Sequence, residues 1–213
     1  MHEELNLRIE KIIKRIIDII GSLVGIVILI PLTLIILIVN KVFKDNGPIF
    51  YLQNRIGKNG KIFKIYKYRS MVIDADEKLK QYLEKNEELR NEYKVFKKLK
   101  DDPRVTKVGK IIRKTTLDEF PQFINVLKGD MSLVGPRPYM EEEKNDMKDY
   151  YKCIISCKPG ITGAWQINYE EERTFNNRLQ LDCEYVNNRS LKLDMIILFK
   201  TIKMLIKNVF KKQ

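Results

Sequence analysis

The feature that most constrains this chain is an unbroken apolar segment near its N-terminus. Residues 19–39 form a run of 21 residues without a charged side chain. As a helix rising about 1.5 Å per residue, this run would be about 31 Å long, close to the thickness of a bilayer's hydrocarbon core. It is longer than the apolar part of a signal peptide, and no small-x-small cleavage site follows it. The segment therefore predicts insertion into a membrane.

The manner of insertion depends on the flanking charges and on a proline. Basic side chains precede and follow the run, at Arg8, Lys11, Lys14 and Arg15 and at Lys41, Lys44, Arg55 and Lys58. A spanning helix would export one of these clusters, against the tendency of positive charge to stay in the cytoplasm. Pro31 lies near the middle, where its ring and missing N–H disfavour a straight helix. These features favour a re-entrant hairpin with both ends cytoplasmic, and a kinked spanning helix is the alternative.

Composition limits the chemistry that the chain can perform. The 213 residues include 40 Lys and Arg against 28 Asp and Glu, a net charge of +12 that suits an anionic lipid, a nucleic acid or a phosphorylated substrate. The sole histidine is His2, which argues against a Ser-His-Asp triad and a histidine-ligated zinc site. The three cysteines, Cys153, Cys157 and Cys183, are an odd and sparse set that argues against a disulfide scaffold, and their spacing matches no zinc pair. Catalysis would therefore depend on carboxylates, basic side chains, hydroxyls or a metal ion.

Local patterns predict a mostly helical α+β fold with one small β-hairpin. The hairpin is expected over residues 48–72, because Asn59-Gly60 favours a tight turn between two strand-like segments. Helices are expected at residues 74–100, 108–114, 117–127, 139–157 and 174–187. We divide the chain into residues 1–45, an amphipathic segment with a re-entrant membrane helix, and residues 46–213, a cytoplasmic catalytic domain with a C-terminal amphipathic helix.

The last segment, residues 191–212, combines an apolar face with a basic one. Its apolar side chains recur at helical spacing, at Met195, Leu198, Phe199, Ile202, Leu205, Ile206, Val209 and Phe210. The other face carries Lys200, Lys203, Lys207 and Lys211. Such a helix can lie in the interface of an anionic membrane. A helix packed on the domain core is the alternative.

Two adjacent carboxylates, Asp118 and Glu119, are the strongest candidates for catalytic chemistry. One interpretation is structural: Thr116 and Glu119 have the spacing of a capping box at a helix start. The other is chemical, because Arg113 lies close by in sequence and Mg²⁺ binds one or two carboxylates together with substrate phosphates. A helix N-terminus would lower the pKa of both carboxyl groups. Without a usable histidine, a carboxylate is also a reasonable covalent nucleophile.

Several other segments carry candidate phosphate or substrate ligands. Arg137 lies between Pro136 and Pro138, which limit backbone motion around a guanidinium suited to bidentate phosphate binding. Further candidates are Lys67 and Arg69 at a strand end, and Arg178 with Asp182 four residues apart on a helix. The alternatives are a stiff surface turn, a solvated strand and a surface salt bridge.

A series of motifs in fixed order resembles the bacterial sugar transferases, the monotopic polyprenyl-phosphate phosphoglycosyl transferases. The most specific is NVLKGDMSLVGPRP at residues 125–138. The others are KRIID at 14–18, QNRIG at 53–57, FKIYKYRSM at 63–71, DPRVT at 102–106, TLDEFPQ at 116–122, KPGITG at 158–163 and LDCEY at 181–185. Together they cover roughly residues 14 to 205, with 74–100 as a variable insertion.

The resemblance implies transfer of a sugar-1-phosphate from a UDP-sugar to a polyprenyl (undecaprenyl) phosphate, with release of UMP, as the first membrane step of surface glycan assembly. It implies Mg²⁺ as cofactor and Asp118 as the nucleophile of a covalent aspartyl intermediate. Glu119 would help hold Mg²⁺ or assist deprotonation of the acceptor. Lys67, Arg113, Arg137 and Asp182 match family active-site positions. The implied site is the cytoplasmic face of the inner membrane, reached by a re-entrant helix.

The expected partners are therefore a UDP-sugar, a polyprenyl phosphate, anionic membrane lipid and a second copy of the chain in a homodimer, without nucleic acid. Two departures from the family pattern concern the membrane helix and the nucleotide. Ile30 precedes Pro31 where many members have serine, and Asn168 is followed by Tyr169 and Glu170 rather than Gly-Arg. Either an arginine contact to the nucleotide is lost, or Arg173 supplies it. The rival function is a non-catalytic membrane-bound module that binds anionic lipid or nucleic acid.

Overall fold

The computed structural model describes residues 2–43, 45–168 and 174–210, with side chains described in these ranges except at 2–4, 6, 7 and 208–210. The helices are α1 (His2–Val42), α2 (Ala75–Lys85), α3 (Glu87–Phe96), α4 (Lys107–Lys114), α5 (Gln122–Lys128), α6 (Tyr150–Ile154), α7 (Ala164–Ile167), α8 (Phe175–Asn188) and α9 (Leu191–Phe210). The strands are β1 (Phe50–Ile56), β2 (Ile62–Tyr68), β3 (Ser132–Val134) and β4 (Gly160–Thr162). The expected mostly helical α+β fold is confirmed.

The predicted β-hairpin is present. Strands β1 and β2 pair antiparallel from Phe50 opposite Tyr68 to Ile56 opposite Ile62. Between them lies a 3-10 turn, Lys58–Gly60, in which Asn59 has φ 57° and Gly60 has φ 78°. Asparagine and glycine are the residues that accept this left-handed backbone at least cost, which is why the Asn-Gly signal located the turn correctly. Strands β3 and β4 form a second, parallel pair.

Helix α1 runs without interruption through Pro31. The structure therefore has a single helix where the hairpin hypothesis expects two arms, and the path of that helix in a membrane stays a prediction. Near the proline, the Thr33 hydroxyl donates to the Leu29 carbonyl at 2.7 Å and also pairs with the Tyr68 hydroxyl of β2. The segment Arg8–Val42 is long and apolar enough to cross a membrane, and only 22% of its most apolar window is buried. A helix in the core of a soluble domain would be mostly covered.

Both halves of α1 pack against the rest of the chain. In the first half, Lys14 Nζ lies 2.5 Å from Asp194 Oδ2 of α9, and Asp18 Oδ1 accepts from Leu133 N of β3 at 2.9 Å. Arg15 donates to the Val126 and Leu127 carbonyls at the end of α5. In the second half, the buried side chains of Leu29 and Ile36 join a core cluster with Tyr68, Val108 and Ile112. The apolar residues between these contacts are left exposed on the outer face of the helix.

Helix α9 packs on the domain core along one edge, and its location in a membrane interface stays a prediction. Its inner edge packs on the main core, where Ile197 is fully buried, and Asp194 accepts a hydrogen bond from Tyr185 at 2.6 Å. Its outer edge exposes 67% of Phe199, 53% of Ile202 and 53% of Ile206. Burying a large apolar side chain is worth about 1.5–3 kcal/mol, so this exposed strip is a surface that another apolar phase would stabilise.

Several helix predictions were wrong in their extent. The charged helix expected at 74–100 is two helices, because Asn86 ends α2 and caps α3, accepting from Leu89 N at 3.1 Å. The helix expected at 117–127 is a 3-10 turn followed by α5, which starts after Pro121. Within 139–157 only a 3-10 turn, Glu141–Glu143, and the short α6 form. The cysteines also differ from expectation, since Cys153 of α6 and Cys183 of α8 form a disulfide.

Candidate active site

The adjacent carboxylates lie on the 3-10 turn Leu117–Glu119, and the capping-box interpretation of this segment is wrong. Thr116 has a left-handed backbone, φ 59°, and its side chain makes no cap hydrogen bond. The helix that a capping box would start does not form there, since α5 begins only after Pro121. A non-glycine residue held at positive φ costs about 1–2 kcal/mol, a cost met by surrounding contacts and often found at functional sites.

Strand β2 brings a cation to this turn. Lys67 Nζ lies 3.5 Å from Glu119 Oε1, and both side chains are mostly buried. Burial lowers the pKa of Lys67, while the carboxylates of Glu119 and Asp118 oppose that shift. The predicted candidates Lys67, Asp118 and Glu119 therefore lie together, although 51 residues separate Lys67 from Asp118 in the sequence.

The two neighbouring carboxyl groups are not equivalent. Burial, followed by the charge of Glu119, raises the pKa of Asp118 to about 6, while Lys67 and Arg113 act in the opposite direction. The sequence had predicted a lowered pKa from a helix N-terminus. That expectation was wrong because a single 3-10 turn provides no row of aligned peptide dipoles. The site thus combines a partly buried carboxylate whose pKa is raised with one that is ion-paired to lysine.

Arg113 is positioned by the close packing of α4 on the end of β2. Its Nε donates to Ser70 Oγ at 2.8 Å. The approach depends on Gly109, where a Cβ would clash with the backbone carbonyl of Ser70. Thr106 caps α4 by accepting from Gly109 N at 2.9 Å, so the helix start and the glycine contact are coupled.

Arg69, another predicted ligand, is engaged elsewhere. Its guanidinium donates to Asp45 Oδ1 and to the Pro48 carbonyl, both at 2.6 Å, and to the Met71 carbonyl at 3.0 Å. These contacts give Arg69 a place in the junction that follows α1. Arg173, named above as a substitute arginine, lies outside the described residues.

The loop around Arg137 is anchored to α8 through Asp182. The buried carboxylate of Asp182 accepts from Arg137 N at 3.0 Å and from the Tyr139 hydroxyl at 2.7 Å. Burial raises the pKa of Asp182 to about 6, against the lowering effect of those hydrogen bonds. Gly160 of β4 lies against the same loop, where a Cβ would clash with the backbone of Gly135. The close strand packing fixes the direction of the loop.

Arg178 and Asp182 do not form the salt bridge that their spacing suggested. The Arg178 guanidinium instead lies 4.3 Å from the ring centroid of Trp165 and 5.9 Å from that of Phe175. Burial and the nearby charge of Arg137 lower its pKa to about 10. Both members of the predicted pair are buried, at 2% and 0% exposure, so neither is part of a solvated helix face.

Two further charged residues of this region were missed from the sequence, Arg55 and Glu143. Arg55, counted above with the basic membrane flank, is 5% exposed and donates to the Pro138 carbonyl at 3.0 Å. Burial and Arg137 lower its pKa to about 10, while Glu143 and Glu119 oppose the shift. Glu143 is 3% exposed and accepts from Met140 N at 2.7 Å. The QNRIG motif that contains Arg55 was the available signal.

The two carboxylates could bind a divalent cation whose remaining ligands come from the substrate and water. Among the described residues, no group of three or more His, Cys, Asp or Glu side chains is arranged to hold a metal ion. Mg²⁺ does not require one, since it commonly uses one or two carboxylates and fills its remaining positions with water and phosphate oxygens. Asp118 and Glu119 fit that minimal donor set.

Comparison with known proteins identifies the class. The chain belongs to the bacterial sugar transferase family, whose sequence profile matches residues 9–208. It is 43% identical over 217 residues to the undecaprenyl-phosphate galactose phosphotransferase of Salmonella typhimurium, covering 97% of this chain and 44% of that protein. It is 40% identical over 189 residues to the exopolysaccharide production protein ExoY of Rhizobium meliloti, covering 89% and 83%.

A third relative is the UDP-N-acetylgalactosamine-undecaprenyl-phosphate N-acetylgalactosaminephosphotransferase of Aeromonas hydrophila. It is 37% identical over 199 residues, which cover 90% of this chain and 43% of that protein. The chain thus spans less than half the length of the Salmonella and Aeromonas relatives and most of ExoY.

Proposed function

We propose that this protein transfers a sugar-1-phosphate from a UDP-sugar to undecaprenyl phosphate, or another polyprenyl phosphate, and releases UMP. The observation that carries the proposal is the convergence of the adjacent carboxylates Asp118 and Glu119 with Lys67, whose Nζ lies 3.5 Å from Glu119 Oε1. The charges of Arg55 and Arg137 also act on Lys67. Carboxylates alone would repel a diphosphate, and cations alone would only bind it. The names of the Salmonella and Aeromonas relatives support the same donor and acceptor class.

In the proposed first step, an oxygen of the Asp118 carboxylate attacks the β-phosphorus of the UDP-sugar. The anhydride bond between the β-phosphorus and the bridging oxygen breaks, and UMP leaves with that oxygen and its electron pair. In the second step, a phosphate oxygen of the polyprenyl phosphate attacks the same phosphorus and frees Asp118. The product carries a diphosphate between polyprenol and sugar, so phosphate and charge balance over the two steps.

Surrounding cations would hold the substrate in line for this displacement. Lys67 and Arg113 are next to the nucleophile, and Arg137 lies on a loop that Asp182 anchors. A rigidly held guanidinium suits bidentate contact with phosphate oxygens. Asp118 and Glu119 would be the protein ligands of Mg²⁺. When bound, the ion would supply charge neutralisation at the phosphate oxygens.

We also propose that the protein is monotopic in the inner membrane, with its catalytic domain on the cytoplasmic face. Support comes from the exposed apolar surface of α1 and from the exposed strip Phe199, Ile202 and Ile206 on α9. Lysines at 200, 203 and 207 accompany that strip and would attract anionic lipid. The N-terminal helix would enter and leave the same face as a re-entrant element.

The test is UMP release by the purified full chain, supplied with undecaprenyl phosphate, Mg²⁺ and a panel of UDP-hexoses and UDP-N-acetylhexosamines. We expect at least one donor to give UMP and a lipid-linked sugar diphosphate. Asp118→Asn should abolish turnover, and Asp149→Asn, the same change at an exposed carboxylate that makes no cap hydrogen bond, should retain it. Binding to anionic vesicles without UMP release from any donor would support the non-catalytic module instead.

A further inference from the structure

Buried polar atoms without a partner collect around the Arg137 loop. Within the described part of the chain, Nε of Arg55, Arg137 and Arg178 and one carboxylate oxygen each of Glu143 and Asp182 are buried without a hydrogen-bond partner. Gln166 Oε1, on α7, is a sixth such atom. A buried polar group without a partner is unfavourable because it has lost its contact with water and gained none in return, so a cluster of such groups indicates a ligand that would satisfy them.

The chemistry of these atoms defines the ligand. The three arginine nitrogens are cationic donors and suit the oxygens of phosphate. The free oxygens of Glu143 and Asp182 can only accept hydrogen bonds while ionised, and the fully ionised phosphate groups of a nucleotide have no hydrogen to donate to them. A ligand that satisfies both groups carries anionic oxygens together with neutral O–H or N–H donors. A nucleoside phosphate has that combination, with anionic oxygens on its phosphates and O–H and N–H donors on its ribose and base.

Glu143 is held so that its free oxygen has a fixed direction. Its Oε2 accepts from Met140 N at 2.7 Å, which leaves Oε1 as the unpartnered atom. Met140 is itself in contact with β1, because Gln53 Nε2 lies 3.3 Å from its Sδ. Glu143 is 3% exposed, so bulk water does not reach Oε1 to donate the hydrogen bond that the protein leaves unmade. Glu143 thus has the rigidity expected of a group that recognises a specific donor.

The position of Glu143 indicates which part of the donor it meets. In-line displacement places the leaving group opposite the attacking atom, so UMP extends away from Asp118. Arg55 is tied to the Arg137 loop by its hydrogen bond to the Pro138 carbonyl, and the charges of both Glu143 and Glu119 raise its pKa against the effect of burial. The arginines would therefore hold the phosphates, and the nucleoside would continue toward Glu143. The ribose is the first part of the nucleoside beyond the α-phosphate.

We propose that Glu143 Oε1 accepts a hydrogen bond from a ribose hydroxyl of the donor nucleotide and makes the site selective for ribonucleotides. This inference rests on the proposed function for the identity of the nucleotide. It assigns to Glu143 a direct substrate contact that determines specificity.

Direct binding measurements separate this inference from turnover. The full chain in detergent micelles is titrated calorimetrically with UDP, 2′-deoxy-UDP, 3′-deoxy-UDP and N3-methyl-UDP. We expect the wild type to bind at least one of the two deoxy forms about tenfold or more weakly than UDP, because a buried carboxylate oxygen loses its donor. Equal binding of UDP and both deoxy forms by the wild type overturns the proposal without any variant.

Glu143→Gln is the matching substitution. The Met140 N–H requires an acceptor, so the glutamine oxygen must take the Oε2 position and its NH₂ group the Oε1 position. A donor then faces the ribose hydroxyl in place of an acceptor. We expect UDP to bind Glu143→Gln about tenfold more weakly than wild type, with little change for the deoxy form, so that the preference disappears. Glu142→Gln, the same change at an exposed neighbour, should keep the preference.

The outcomes distinguish this inference from the proposed function. A wild type that prefers UDP through Glu143 but releases no UMP from any UDP-sugar supports the ribose contact and contradicts the transferase reaction. A wild type that turns over normally while Glu143→Gln keeps the full preference for UDP overturns the ribose contact alone. The ribose contact is also overturned if Glu143→Gln no longer distinguishes UDP from N3-methyl-UDP, as wild type does, but still prefers UDP to the deoxy forms. Glu143 would then contact the base.

Discussion

Lys67 Nζ lies 3.5 Å from Glu119 Oε1, and this ion pair joins strand β2 to the turn that carries both adjacent carboxylates. The pairing makes the two carboxyl groups different from one another. Glu119 has a lysine partner, while partial burial and the charge of Glu119 raise the pKa of Asp118 to about 6. Two neighbouring carboxyl groups whose surroundings give them different pKa values can take different roles, as paired carboxylates do in other enzymes.

The first prediction concerns the nucleophile. Incubation of wild type with labelled UDP-sugar and Mg²⁺, without acceptor, should release up to about one equivalent of UMP and leave labelled phosphosugar on the protein. Asp118→Asn should abolish labelling, because an amide cannot form the acyl phosphate bond. The measurement is mass spectrometry of the intact protein and of its peptides.

Asp149→Asn serves as the matched control and should label like wild type. Label on another residue in Asp118→Asn would contradict the assignment of Asp118. If wild type is not labelled and UMP leaves only after the acceptor binds, transfer is direct, and metal binding is the role left for Asp118.

Local sequence signals predicted the parts of the fold that local physics determines. Asn59-Gly60 identified the hairpin because few residues accept a left-handed turn, and the helix expected at 174–187 appears as Phe175–Asn188. The break at Asn86 was missed because a helix end is usually recognised where an apolar repeat stops. The highly charged segment 74–100 has no clear apolar repeat in which such a stop could be seen. The disulfide between Cys153 and Cys183 was missed because helix packing, rather than sequence spacing, brings α6 and α8 together.

The site shows the same division between local and tertiary information. Thr116 and Glu119 have capping-box spacing whether or not a helix starts there, and only the left-handed backbone of Thr116 shows that none does. Arg55 was assigned to a membrane flank because a cation on a short strand is ordinarily solvated. Glu143 follows two other glutamates and looks like part of a solvated run. Burial, which distinguishes both residues, comes from the surrounding loop and helix.

The second prediction concerns Arg137. Its backbone N–H is fixed by Asp182, so the side chain starts from a defined position. Arg137→Lys keeps the charge but loses the two parallel N–H donors of guanidinium. We expect kcat/KM for UMP release to fall at least about tenfold, which corresponds to about 1.4 kcal/mol.

Arg90→Lys, the same change at an exposed position of α3, should leave the kinetics unchanged. Wild-type kinetics for Arg137→Lys would remove Arg137 from the substrate site.

The third prediction concerns pH and Asp182. Its pKa is about 6 in the folded protein against an ordinary value of 3.8, because burial disfavours the charged form. Between these values the folded state binds more protons than the unfolded state, so this group lowers stability as pH rises through that window. The full effect is on the order of 3 kcal/mol.

Asp182→Asn removes the titration. As pH rises from 4.5 to 7, the unfolding temperature of wild type should therefore fall relative to that of Asp182→Asn. The other titrating groups are common to both proteins, so their effects cancel in this difference. Parallel curves for the two proteins over this range would show that Asp182 is not the group responsible.

The last prediction concerns the path of α1 in the membrane. Lys14 near one end contacts Asp194, and Ile36 near the other joins the cluster with Tyr68, so both halves of the helix pack on one domain. A spanning helix would carry one half away from that domain. In a background with Cys157 replaced by serine, we expect Asn6→Cys and Asn46→Cys both to resist an impermeant maleimide in intact cells and to react after permeabilisation. Asn91→Cys, exposed on α3, reports the cytoplasmic side.

Pro31→Leu supplies the complementary variant. Leucine restores the missing N–H and removes the ring clash, so a continuous span is favoured. We expect maleimide labelling of Asn6→Cys from outside to increase in this variant and UMP release to fall, because α1 would pull away from Tyr68 and the neighbouring Lys67. Labelling of Asn6→Cys from outside in the parent with Pro31 intact, together with protection of Asn46→Cys, would show that α1 spans the membrane and that the basic residues before it are exported.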